Sequence, residues 1–79
     1  MKIRESAEDY LEAILYLGKS LEHVRSIDVV HQLGLAKPSV SVYLKNLREN
    51  GYINMDDKGY LSLTTEGMKI AAKIYERHE

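Results

Sequence analysis

Between Ala7 and Leu17 the residues Ala7, Tyr10, Leu11, Ile14 and Leu17 recur three and four apart, the spacing of one buried helix face. Ser6 stands ahead of them, and Ser-Ala-Glu-Asp reads as a capping box whose acids also suit the helix dipole. Gly18 loosens the pattern, so this helix is predicted to end near Lys19 or Ser20. A polar connection follows as far as Arg25, in which Val24 is a candidate for a short strand. The second helix is predicted from a Ser26 cap to Leu33, with Ile27, Val30 and Leu33 inward. Gly34 then supplies the left-handed residue that closes a helix, and Leu35 tucks into the core from the turn.

A third helix is predicted over 37–50. Pro38 suits its first turn, where a missing N–H leaves no hydrogen bond unmade, and Val40, Tyr43, Leu44 and Leu47 form its buried face. Asn50-Gly51 closes it. The period then changes from helical to two. Tyr52-Ile-Asn-Met55 and Tyr60-Leu-Ser-Leu63 read as short strands joined by Asp56-Asp-Lys-Gly59, a glycine-ending hairpin loop. Thr64 or Thr65 caps a last helix with Met68, Ala71, Ala72 and Tyr75 on one stripe and Ile70, Ile74 and His78 beside it. Helix, helix, helix, hairpin, helix is the order of a winged helix-turn-helix: mainly α with a small β-hairpin, a three-helix core, a wing and a C-terminal linking helix.

Seventy-nine residues make one domain, 1–79, near the lower limit for folding without staples. There is no cysteine, so disulfides are excluded. The apolar runs are too short to span a membrane, and Met-Lys-Ile-Arg-Glu-Ser lacks the apolar core of a signal peptide, so a soluble cytoplasmic domain is expected. No nucleophile constellation, phosphate loop or zinc spacing is present, and an enzyme is not expected. His23 and His31 have no acids at ligand spacing and read as surface residues.

The net charge of −1 does not advertise nucleic-acid binding, but the charge is segregated. Lys37, Lys45 and Arg48 lie in 37–50 against Glu49 alone, while Glu5, Glu8, Asp9 and Glu12 cluster near the N-terminus. A helix enters the major groove only if its leading edge is free of bulk and acids. Ser39 and Ser41 can donate to phosphates or base edges, Val42 can meet a thymine methyl, and Lys37 and Lys45 suit phosphates. With Pro38, Arg25 and Lys58 these are the candidate DNA contacts. Asp56 and Asp57 would repel phosphates at a wing tip, so a plain hairpin capping the core is the better reading of those two.

Asp9 and Glu12 are three apart and share a helix face off the core stripe. Two such carboxylates can share a divalent ion if a third ligand arrives, and His78 is a candidate. Spacing alone favours a capping role for Asp9, an ordinary surface position for Glu12 and a helix-end dipole partner in His78.

Several segments together carry a family resemblance. They are Ser6-Ala-Glu-Asp-Tyr-Leu-Glu-Ala-Ile14, Val24-Arg-Ser-Ile-Asp28, Lys37-Pro-Ser-Val-Ser41, Asn50-Gly-Tyr-Ile53, Leu63-Thr-Thr-Glu-Gly67 and Tyr75-Glu-Arg-His-Glu79. The chain resembles, over essentially its whole length, the N-terminal DNA-binding domain of the diphtheria-toxin-repressor family of metal-dependent transcriptional repressors, manganese-sensing branch. Glu-Asp-Tyr-Leu-Glu and Arg-His-Glu are the more specific motifs; Leu-Thr-Thr-Glu-Gly is common among winged helices. The resemblance implies that Asp9, Glu12 and His78 are metal ligands for Mn(II) or Fe(II), with aspartate at position 9 where the iron-type branch has methionine. It also implies a homodimer that places two recognition helices on a palindromic double-stranded operator. In the family the last helix leads into a helical dimerisation domain that supplies further ligands. No such domain lies within 1–79, so weak metal binding and weak or no dimerisation are expected of these residues alone.

The expected function is metal-dependent repression of metal-homeostasis genes through helix 37–50. The alternatives are a metal-independent winged-helix regulator and a winged helix used as a protein-interaction module, to which the near-neutral charge and acidic wing lend weight.

Overall fold

The computed structural model describes residues 7–77, with side chains as far as Lys73. Its elements run α1 (Ala7–Gly18), α2 (Ser26–Leu33), α3 (Lys37–Glu49), β1 (Ile53–Met55), β2 (Leu61–Leu63) and α4 (Thr65–Arg77). The strands form an antiparallel hairpin with Ile53 opposite Leu63 and Met55 opposite Leu61. Val24 adds an isolated antiparallel bridge to Leu61, a single pair where a short strand is the expectation. The order and pairing are those of a winged helix-turn-helix, as the sequence pattern predicts.

Local chemistry sets most boundaries. Gly34 ends α2 at φ 69°, with its N–H donating to the carbonyl of Val30. Pro38 lies in the first turn of α3, and Gly51 at φ 83° turns the chain away after Asn50. The Thr64 hydroxyl caps α4. It accepts the Gly67 N–H at 3.1 Å while donating to the Gly51 carbonyl at 2.7 Å, so one side chain joins the start of α4 to the turn after α3.

The core is built from Tyr10, Leu11, Ile14, Val24, Val29, Val40, Leu44, Leu47, Ile53, Leu61 and Ala71. The Tyr10 and Tyr43 rings stack in parallel, centroids 4.4 Å apart and 7° from coplanar, joining α1 to α3.

Three expectations are corrected. Ser26 is the first helical residue of α2 rather than its cap; the extended Arg25 holds that place, with its N–H donating to the Asp28 carboxylate at 2.9 Å. Val29 is fully buried whereas Ile27 is 38% exposed, because α1 and α3 both pack on the side of α2 centred on Val29. Met68 is 42% exposed and lines an apolar groove with Leu15, Leu21 and Leu61, because α4 turns Gly67, Ile70 and Ala71 inward instead. The Ser6 cap and the placement of the Tyr75, Ile74 and His78 side chains lie outside the described residues.

Candidate nucleic-acid interface

The apolar period of α3 commits one side to the core through Val40, Leu44 and Leu47. By geometry alone this turns Lys37, Pro38, Ser39, Ser41, Val42 and Lys45 outward, and all six are exposed. Val42, at 62%, is the most exposed of the large hydrophobic residues described. With Pro38, Ser39 and Tyr43 it lines a shallow hollow on the helix surface. The first turn of α3 holds no acid, so nothing on its leading edge opposes a phosphate. Arg48 is drawn to the wing instead, its Nη1 donating to the Met55 sulfur at 3.2 Å.

At the hairpin turn the exposed Asp56 side chain is held by the backbone of the residues that follow it. Its Oδ1 accepts the N–H groups of Lys58 and Tyr60, each at 2.9 Å, and its carbonyl accepts the Gly59 N–H at 3.0 Å. The Tyr60 amide bond, aided by the Lys58 amide and by the charges of Lys58 and His23 against a smaller desolvation effect, holds its carboxyl below the usual carboxylate range. Asp56 therefore builds the turn, in line with the hairpin reading, and Lys58 is left exposed at the tip.

Arg25 is exposed, and its side chain lies against Tyr60 of the wing. His23, also exposed, stacks on the same ring. Sequence reasoning misses Tyr60, because nothing in the local pattern links residues 35 positions apart.

Asp9 and Glu12 are both half-buried on α1, the helix that packs most extensively on α4. Among the described residues no group of three or more metal-ligating side chains gathers, and His78 lies outside them. Two carboxylates on one helix face are hard oxygen donors of the kind Mn(II) or Fe(II) accepts, so the residues present fit part of such a site.

Residues 2–63 match the family model described as iron dependent repressor, N-terminal DNA binding domain. The chain belongs to this family. The transcriptional regulator MntR of Escherichia coli O6:H1 is similar to it at 37% identity over 76 residues, covering 96% of this chain and 49% of that protein. The HTH-type transcriptional regulator MntR of Bacillus subtilis (strain 168) is 31% identical over 74 residues, covering 94% and 52%. The chain thus spans about half the length of the curated relatives it matches. In fold it is similar to the crystal structure of MepR, a transcription regulator of the Staphylococcus aureus multidrug efflux pump MepA. The TM-score there is 0.67 at 23% identity, over 90% of this chain and 55% of that one. Membership of the iron dependent repressor family assigns the chain to DNA-binding domains, and the relatives' names are those of regulators rather than enzymes. No described helix is long and apolar enough to cross a membrane.

Proposed function

We propose that this chain is the DNA-reading part of a metal-dependent, cytoplasmic transcriptional repressor of metal-homeostasis genes. The observation that carries the reading is the outer face of α3, where serines, lysines and an exposed valine stand with no acid in the first turn. Ser39, Ser41 and Val42 read base edges, while Lys37 and Lys45 bind phosphates, with Arg25 at the start of α2 and Lys58 on the wing. Pro38 pre-sets the first turn that brings Ser39 to the groove. Two copies bind a palindromic double-stranded operator as a homodimer, each placing one α3 in successive major grooves.

Asp9, Glu12 and His78 would hold Mn(II) or Fe(II), which supplies a local positive charge able to tie α1 to the last helix. Support comes from the hard-oxygen pair on α1, from the packing of α1 on α4 and from the family to which the chain belongs. By linkage, a metal that binds the DNA-competent arrangement more tightly raises operator affinity by the same factor that DNA raises metal affinity.

The test is a salt titration of DNA binding by the intact protein, with Mn(II) and with chelator. Binding that tightens as salt falls and strengthens with Mn(II) is the expected result. Equal affinity with metal and chelator would leave a metal-independent regulator. The absence of any salt slope would leave a protein-interaction module.

A further inference from the structure

Two side chains that flank Val24, His23 and Arg25, meet the distant Tyr60 at the base of the wing. The Val24–Leu61 bridge, in which the Leu61 N–H donates to the Val24 carbonyl at 2.7 Å, brings the flanking residues His23 and Arg25 against Tyr60. The His23 ring stacks on Tyr60 at 4.0 Å between centroids and 5° from coplanar. The Arg25 guanidinium carbon lies 4.9 Å from the centre of the same ring, and its Nη2 donates to the Tyr60 hydroxyl at 3.2 Å. Tyr60 is itself pinned by its N–H to Asp56 Oδ1, and Arg25 by its N–H to Asp28 Oδ2.

An exposed arginine ordinarily samples many rotamers, and a phosphate contact must freeze them. Here the aromatic ring already holds the head group, and one of its five donors is used by Tyr60. Among the described residues no carboxylate forms an ion pair with it, so its charge is available. A planar guanidinium held in one orientation suits a phosphate oxygen pair, which a flexible ammonium reads only as a point charge. Arg25 precedes the first helix of the helix-turn-helix, the element that crosses the DNA backbone in this motif.

We propose that Tyr60 is a positioning residue that presents a preformed Arg25 guanidinium to a backbone phosphate of the DNA. The wing then acts through its base as well as through Lys58 at its tip. This rests on the DNA-binding reading above. It also gives Asp56 a purpose: an acid out of place in a wing orders the turn that sets the tyrosine.

The experiment measures binding of the intact protein to a mixed-sequence duplex about two helical turns long, since phosphate contacts do not depend on sequence. Arg25→Ala should lower the steepness of log K against log salt by about 0.9 for each phosphate that the arginine neutralises. Tyr60→Leu should lower it as much, Tyr60→Phe should retain most of it, and Arg25→Ala with Tyr60→Leu should lower it no further than Arg25→Ala alone. Additive reductions, or a Tyr60→Leu slope equal to wild type beside a lowered Arg25→Ala slope, overturn the proposal. A second readout needs no variant. The Arg25 side-chain N–H resonances should shift when the duplex is added to wild-type protein, and their staying in place overturns it. If the wild-type protein shows no salt slope at all, the DNA-binding reading fails first. If Lys45→Ala lowers the slope and Tyr60→Leu does not, only the role of Tyr60 fails.

Discussion

Gly67 lies so close to the carbonyl oxygen of Tyr52 that a β-carbon at this position would collide with it. That carbonyl also accepts the Thr64 N–H at 3.1 Å, so it is fixed by the same turn that caps α4. The glycine is required by this close approach, in a helix where its backbone freedom is otherwise unfavourable. Gly67→Ala would gain about 1 kcal/mol of helix propensity. The obstacle is backbone and cannot rotate away, so the net effect is a destabilisation on the order of 1–3 kcal/mol. Chemical denaturation should show a lower midpoint at unchanged slope, and an equal or higher midpoint would refute the close approach.

Lys45 faces outward from the second half of α3, clear of the core. Lys45→Ala should reduce the salt dependence of DNA binding by about 0.9 for each phosphate it neutralises. Ser39→Ala, at the leading edge, should instead change the preference among sequences where the serine reads a base edge. Competition between duplexes of different sequence separates these effects. If neither variant alters binding, α3 is not the reader.

The turn at Asp56 carries a pH dependence whose sign follows from its depressed pKa. A carboxyl held lower in the folded chain than its ordinary value of 3.8 stabilises the turn above that value. The contribution disappears as the pH falls through the lowered folded value. Amide exchange at Lys58 and Tyr60 should therefore accelerate in acid relative to the intrinsic rate, while Leu44 and Leu47 in the core of α3 stay protected. Asp56→Ala should loosen the same two amides at neutral pH, and unaltered protection there would remove the carboxylate from the turn.

Asp9→Asn and Glu12→Gln keep shape and remove charge. Each should weaken Mn(II) binding to the intact protein by at least about ten-fold. The free ion is counted by its electron paramagnetic resonance signal during titration. Undiminished binding in both variants would assign these acids to the surface of α1 and nothing more.

Much of this fold is legible in the sequence because its boundaries are chemically local. Gly34, Pro38, the Asn50-Gly51 pair and Thr64 act within a few residues of themselves, and each stands where its side chain or backbone freedom is used. The outer face of α3 is legible for the same reason: three buried positions at helical spacing define the opposite side. What escapes depends on partners distant in sequence. In eight-residue α2 the stripes through Ile27 and through Val29 overlap, and only the placement of α1 and α3 decides between them. Met68 and Gly67 are adjacent, and the carbonyl of Tyr52 selects which one faces inward. The Tyr60–Arg25 pair is created by a bridge at Val24 that the sequence marks only as a candidate strand.

The parallel stack of Tyr10 on Tyr43 has a mechanical consequence. Tyr10 follows Asp9 directly, and Tyr43 follows Val42, so the stack runs between the neighbours of a candidate metal ligand and a candidate base reader. Rings 4.4 Å apart and 7° from coplanar are in direct contact, so a shift of α1 at Tyr10 is felt at Tyr43 of α3. Were α1 and α3 to move as one piece through this contact, a push delivered to α1 would carry the reading helix with it, like a key turned by its bow. The teeth keep their shape, and what changes is where they are held against the lock.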